Sequence, residues 1–469
     1  MSLSNQIIYG TAASVAAVID QVQDLDYLDE YGYTPLIQSA IVDNLDIAKI
    51  LIARGADVNM PDLTGRSALH WAVDNGNMEF TKLLLENKAN ANIYTIASQP
   101  PLIKPILRHN NELKYLLCRF DADPTFANDY INTKLLGHRF ELRGFVDIVD
   151  NMGKFTELSY EGFVLEFTLD VVFSSLQDFK NNYAARHLSS EFHLVLMLLD
   201  ALERAIQLSR YQHYLIKAEE NQHEIAYLIQ QDPLILPIGQ EGHAITVVRY
   251  GTLLAICDRA QQDDPETPTV EIFYINRPSK LTVELVVNLL YQRQTLDYVK
   301  QTLHQQLALQ TVSTLDLPLQ LMGNCAWANV EACIPTLMLL YGMQHKAKSA
   351  PEVVDVPRVL RVYRQWREWD KERALQFCLQ DFADAVPARK AAKVTMLAAI
   401  FVQSCLASRR YDVERARRIF PYLCTPGFEY VLQSYLRAYR KTDVSFIARN
   451  LRQLIRLCDD YGDYDEWLY

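Results

Sequence analysis

A cysteine placed where a glycine turn meets the start of a helix is in a position to react. The stretch Leu317–Thr336, LPLQLMGNCAWANVEACIPT, turns at Gly323-Asn324 and reads as a helix from Cys325 onward. The first N–H groups of a helix lack internal partners, and the helix dipole is positive at that end. Both favour a thiolate. Gln320, five residues upstream, is placed to offer a side-chain N–H to a developing oxyanion, beside the backbone N–H of Cys325. On this stretch alone the other reading stays open, a small buried cysteine after a turn.

A base and an orienting acid come from a second stretch. Two β-rich runs flank Arg249-Tyr250-Gly251-Thr252, which reads as a hairpin with Gly in its turn. With the turn centred on Tyr250-Gly251, His243 opens the first strand and Asp258 closes the second. The two then lie side by side at the open end, since paired strands run about 4.8 Å apart. A His at a strand start or an Asp at a strand end is ordinarily a solvated or turn residue; the pair at one edge is the informative feature. Together His243, Asp258, Cys325 and Gln320 supply base, orienting acid, nucleophile and oxyanion donor, the set that nucleophilic catalysis requires. Asn276, closing another apparent strand over Val270–Ile275, is a rival for the orienting role. Gln261–Pro268, polar and Pro-containing, reads as the loop between. Trp327 and Asn329 are expected to shape the mouth of the site or pack beneath it.

The composition narrows the setting. With 469 residues, 49% hydrophobic and 22% charged, the chain is ordinary folded protein of about two to four domains. Its net charge of −11 argues against a general nucleic-acid binder. The eight cysteines are scattered, with no CxxC pair, which rejects a zinc ribbon or finger and points to free thiols in a reducing compartment. No metal site and no cofactor are expected. The N-terminal segment has no basic region before an apolar run, so no secretory signal is expected there. The apolar stretches, such as Met396–Val402, are too short to span a membrane.

The first third repeats itself. Gly32-Tyr33-Thr34-Pro35-Leu36 recurs as Gly65-Arg66-Ser67-Ala68-Leu69, and Gly55-Ala56-Asp57-Val58-Asn59 as Lys88-Ala89-Asn90-Ala91-Asn92, both at an offset of 33 residues. Weaker copies place Pro101-Leu102 and Asp121-Ala122-Asp123 at the same offset, and Leu135 continues the series. This resembles the ankyrin repeat, specifically over Asp29–Asn92. Thr or Ser caps the first helix of each pair, Pro suits its first turn, and Gly55 ends the second helix. Lys88 and Asp121 stand where that Gly stood, so the later repeats are expected to be irregular. The resemblance implies one stacked solenoid with a binding surface. Asp26, Tyr31, Tyr33, Met60, Leu63 and Arg66 lie on or near its hairpin tips and are the expected binding residues. His70 looks like the family's turn-bonding histidine rather than a ligand.

From about Gly153 the period is lost. Phe155–Tyr160 reads as a strand, and Asp170–Phe179 and Ser190–Tyr211 as helices. From about Pro351 helices run to the end, punctuated by Pro387, Pro421 and Pro426. Arg358, Arg361, Arg364 and Arg367 recur along the first of these, either as a solvated face or as a surface for an acidic partner or nucleic acid. The expected organisation is α+β and multidomain: ankyrin repeats over 1–150, an α+β domain carrying the cysteine site over 151–350, and a helical domain over 351–469.

The order His243, Asp258, Gln320, Cys325 resembles the cysteine proteases of the adenovirus-protease and ubiquitin-like-protease type, clan CE, a class that also contains bacterial effector acetyltransferases. The chain departs from that class in having Ala244 after the histidine and Asn324-Cys325-Ala326 at the nucleophile; a papain-like arrangement is equally compatible. Over nearly its whole length the chain resembles the ankyrin-repeat effectors of Legionella delivered by type IV secretion. Gly242-His243-Ala244-Ile245, Cys257-Asp258-Arg259 and Gly323-Asn324-Cys325-Ala326-Trp327-Ala328-Asn329 carry that resemblance. The acidic, aromatic end Asp459–Tyr469 resembles a type IV translocation signal. The resemblance implies a cysteine-protease-like domain after the repeats and action inside a host cell, in the cytoplasm or nucleus, on host protein bound by the repeats. The alternatives it leaves are a non-catalytic binding scaffold and an acyltransferase using the same Cys and His.

Overall fold

The structure, a computed structural model, describes residues 3–162, 165–212, 218–240, 242–260, 267–292, 295–320, 323–345, 355–440, 445–459 and 464. Most of the Gln261–Pro268 loop and most of the acidic end Asp459–Tyr469 lie outside these residues. The chain divides into two compact units. One is Met1–Leu135 with Gly144–Tyr160 and Cys378–Tyr469; the other is Leu136–Arg143 with Glu161–Phe377. This differs from the division expected near residues 150 and 350. The front part of the helix Val356–Asp384 places Val359, Val362, Tyr363 and Trp366 in the core of the second unit, while the helices after it belong to the first.

In the first unit, four helix pairs stack at the repeat offset: Leu3–Tyr9 with Ala12–Ile19, Pro35–Ile41 with Leu45–Ala53, Ala68–Asp74 with Met78–Glu86, and Ile103–Leu107 with Asn111–Arg119. The local chemistry explains each start. Thr34 caps its helix by accepting from the Ile37 N–H, and Asn44, Asn77 and Asn110 do the same for the second helices. The turn at Gly55 is left-handed, and Lys88 and Asp121 adopt the same conformation at their copies of it. The irregularity expected from those two residues shows instead in the five-residue helix Ile103–Leu107. No further repeat begins at Leu135: Pro124–Arg139 is one continuous helix, since nothing between them breaks it.

Successive repeats are tied by a ladder of side chains. Asp26 Oδ1 accepts from the Asp57 N–H (2.8 Å), Asn59 Oδ1 from the Asn90 N–H (2.7 Å) and Asn92 Oδ1 from the Asp123 N–H (2.7 Å). The two asparagines also donate forward, to the carbonyls of Lys88 and Asp121. After the repeats, β1 (Phe145–Val149) and β2 (Phe155–Ser159) form a hairpin that packs on the helix Pro387–Ser404. Around that helix lie Arg410–Leu423, Glu429–Arg440 and Phe446–Cys458.

The second unit is built on a five-stranded antiparallel sheet in the order β3 (Leu234–Gln240), β4 (His243–Tyr250), β5 (Leu253–Cys257), β6 (Val270–Tyr274), β7 (Gln310–Thr314). Its central strands are apolar on both faces because helices cover both. One face packs Ile235, Val248, Ala255 and Ile272 against helices Leu165–Asn181, Phe192–Arg210 and Cys325–His345. The other packs Leu236, Val247, Ile256 and Phe273 against Gln222–Gln230, Val283–Tyr291 and Leu296–Leu307. Helix Cys325–His345 is buried along nearly its whole length, which fits its lack of a polar stripe. Arg358 and Arg361 pair with Glu191, and Arg367 with Glu141 and Glu331; of the four arginines in that run, these three are engaged within the unit.

Replacing Asn59 by Ala removes both of its bridges to the next repeat. We expect a loss of about 1–3 kcal/mol, read as a lower denaturant midpoint by circular dichroism.

Candidate functional site

The hairpin turn is Gly251-Thr252, with Tyr250 opposite Leu253 and Thr246 opposite Cys257. This register lies two residues from one centred on Tyr250-Gly251, so His243 and Asp258 are not direct cross-strand partners. They meet on a diagonal beyond the last pair, where both side chains reach past the sheet end. His243 Nε2 lies 2.9 Å from Asp258 Oδ1. Because Asp258 is ionised, the ring donates Nε2–H to it, which leaves Nδ1 to interact with the thiol of Cys325. Cys325 is the first residue of its helix.

One buried amide fixes this arrangement. Asn329, one turn below Cys325, accepts the Arg259 N–H on Oδ1 (2.8 Å) and donates Nδ2–H to the Ala244 carbonyl (2.7 Å). It thereby ties the cysteine helix to the residue after His243 and the residue after Asp258. Its Nδ2 also approaches Gln320 Oε1 at 3.4 Å, which leaves the Gln320 Nε2 hydrogens for another acceptor. Gln320 is held by its own backbone N–H donating to the Arg259 carbonyl (2.8 Å). The buried Arg259 side chain donates to the carbonyls of Pro318 (2.6 Å) and Ala328 (3.2 Å). The turn before the helix is pressed close: Gly323, at φ +74°, accepts from the Gly162 N–H, and a Cβ there would meet Glu161 at 2.6 Å.

The charges follow from these contacts. The hydrogen bond to Asp258, with that to Cys325, raises His243 to about 9, against its partial burial. Burial opposes ionisation of Asp258, but its bonds to His243 and Lys300 hold it well below the usual carboxylate range. Burial also opposes the Cys325 thiolate, yet the His243 hydrogen bond and charge, with the backbone of Ala244 and Ala326, carry its pKa below the ordinary thiol value. Burial moves Cys118, Cys257, Cys333, Cys378 and Cys424 the other way. Both shifts run in the direction of a thiolate–imidazolium pair.

The structure thus brings together Cys325, His243, Asp258 and Gln320. Asn276 is elsewhere: its Nδ2 donates to the Ala308 carbonyl, closing the helix Leu296–Leu307. Trp327 is buried, stacked on His138 at 5.8 Å. Two residues join the site without having been singled out for it. Arg259 stands inside the quoted run Cys257-Asp258-Arg259. Lys300, whose Nζ lies 2.8 Å from Asp258 Oδ2, is a single lysine on an amphipathic helix and leaves no trace in the spacing.

On the repeat array, Tyr31 and Leu63 are exposed. Met60 is half-buried. Asp26 belongs to the ladder, and Arg66 pairs with Asp74 (2.8 Å) over the ring of Trp71, which also meets Tyr33 edge-on. His70 bridges Ser67 and the Gln99 carbonyl, and burial lowers it to about 4.

Comparison with known proteins matches residues 40–85 to the family model described as ankyrin repeats (many copies). Human inversin is 38% identical over 97 residues, 21% of this chain and 9% of inversin; the chain therefore spans less than a tenth of that relative. A mouse protein named fem-1 homolog A-like is 33% identical over 94 residues, 20% of this chain and 14% of its own length. The solved structure of the Legionella effector AnkH superposes with a TM-score of 0.82 at 41% identity, covering 98% of this chain and 97% of that one.

Alkylation with iodoacetamide at pH 6, followed by peptide mapping, should modify Cys325 at least about tenfold faster than Cys118 or Cys424, because only a thiolate reacts. Asp258→Asn removes the charge that holds the imidazolium and should slow Cys325 by a similar factor.

Proposed function

Because the chain belongs to the family of the Legionella effector AnkH, we propose that it is an effector delivered into a host cell, where its repeats bind host protein and Cys325 acts on that protein as a thiol hydrolase. Delivery is by type IV secretion. The observation that carries the catalytic part is the His243 ring, held by Asp258 at 2.9 Å and interacting with the Cys325 thiol at the start of its helix. The chain order of these residues, with Gln320 before the cysteine, supports a cysteine-protease-like domain of the clan CE or papain-like kind.

The mechanism follows from the geometry. His243 Nδ1 takes the thiol proton, and Asp258 stabilises the imidazolium through Nε2–H. The Cys325 sulfur attacks the carbonyl carbon of a bound amide. The backbone N–H of Cys325 and the Gln320 side-chain N–H receive the oxyanion. The imidazolium returns its proton to the leaving amine as the C–N bond breaks, leaving a thioester. A water then attacks the thioester carbonyl, losing its proton to His243, and the acid leaves as the thiol reforms.

Recognition falls to the repeats. Tyr31 and Leu63, with Ile96 of the next repeat, present exposed apolar side chains at successive hairpin tips, and this row favours a second reading in which the chain binds without turnover. Tyr33, Met60 and Arg66 flank the row, and Asp26 holds its first step.

Incubating host lysate with the intact protein and with Cys325→Ala, then labelling new protein N-termini, separates the two readings. Hydrolysis predicts termini that appear with the intact protein only. No Cys325-dependent termini, with equal capture of partners by both proteins and loss of capture on Leu63→Asp, overturns catalysis and supports the scaffold.

A further inference from the structure

Asp258 is shared by two cations. Its Oδ1 accepts from His243 Nε2 at 2.9 Å and from the Ala260 N–H at 3.2 Å, while its Oδ2 accepts from Lys300 Nζ at 2.8 Å. The carboxylate side chain is 6% exposed and Lys300 is 26% exposed, so the second pair is formed partly out of water. Nothing in the attack, oxyanion or proton-transfer steps calls for a lysine. A carboxylate that had only to orient the imidazole would be served by a neutral donor at Oδ2.

Resting on the thiol-hydrolase reading, we propose that Lys300 is a positioning residue for the Cys325–His243 pair: it pins the Asp258 carboxylate and divides its charge, so that the imidazolium holds its proton less tightly. An undivided carboxylate at hydrogen-bond distance keeps the proton on His243. The thiolate persists, but the imidazolium becomes a poorer acid toward the leaving amine. A fixed positive charge on the far oxygen moves the balance toward release. Among the described residues, the charged and titratable groups whose contacts with Asp258 are given leave this role to Lys300. His243 approaches from β4 and Cys325 acts through that ring. Arg259, next in the chain, turns its guanidinium toward Glu331 at 3.7 Å and the carbonyls of Pro318 and Ala328. Lys300 comes from the helix Leu296–Leu307, on the opposite face of the sheet from the cysteine helix.

The test is the pH profile of Cys325 alkylation by iodoacetate in the full-length protein. An anionic reagent is attracted while the imidazolium is charged, so the rate rises as the thiolate forms and falls as His243 loses its proton near pH 9. Lys300→Met should move the falling limb upward by about one pH unit, and Lys300→Arg should return it to the parent position. Thermal unfolding of both variants separates a shifted titration from a damaged fold. A falling limb that stays in place in a folded Lys300→Met protein overturns the proposal. So does one that moves downward, which is the effect of losing a prop that merely held Asp258 against His243. If the parent protein shows no enhanced Cys325 alkylation at pH 6, the thiol-hydrolase reading itself fails, and that result is distinct from an unmoved limb in the variant.

Discussion

A side-chain amide with four hydrogen-bonding sites, enclosed at the junction of a helix and two strands, leaves little freedom to what surrounds it. Asn329 bonds the Arg259 N–H and the Ala244 carbonyl from one turn below Cys325. Leaving such buried groups unpaired costs about 1–3 kcal/mol each, so the helix cannot slide against the sheet without losing both. The three side chains that meet at the sheet end come from positions 243, 258 and 325, and no local turn could place them. Asn329 converts three separate backbone positions into one rigid triangle. Arg259 extends the same constraint to Pro318 and Ala328, and through its backbone to Gln320.

The electrostatics depend on that rigidity. The protein carries a net charge of −11, an unpromising field for a thiolate. The local arrangement overrides it because opposite charges alternate through the site: thiolate, imidazolium, carboxylate, ammonium. The two contacts of the carboxylate are within hydrogen-bond reach and partly out of water, where attraction between neighbours is much stronger than in bulk solvent. At the other cysteines with shifted pKa values burial outweighs the nearby cations, Lys114 at Cys118, Arg259 at Cys257 and Lys393 at Cys378, and moves them away from reactivity.

Much of this was legible in the sequence, for definite reasons. The repeats declare themselves because a 33-residue period forces the same caps and turns at the same places. The turn before Cys325 is legible because a left-handed glycine and a helix start leave local marks. The hairpin is legible through two β-rich runs around a Gly turn, although its register is not: one residue more or less in a turn leaves the composition unchanged while displacing every pair. On the sequence, Asp258 is set against His243 by a hairpin register that the structure does not have; the two meet through their side chains at 2.9 Å. Lys300 and the inward-facing arginines of Val356–Asp384 could not be read, because a charged residue on a helix looks the same whether it meets solvent or a buried carboxylate from far along the chain. The compact units are not legible for a related reason: helix Val356–Asp384 lies in one unit at its start and in the other at its end, and nothing in a helical period marks that change.

The ladder of Asp26, Asn59 and Asn92 has a consequence for how such a chain can change in length. Each rung reaches from a fixed place in one repeat to a fixed place in the next. Excising or duplicating a whole period returns every rung to an equivalent partner, whereas any fractional change puts the whole downstream stack out of phase. The repeat surface can therefore grow or shrink only in discrete modules.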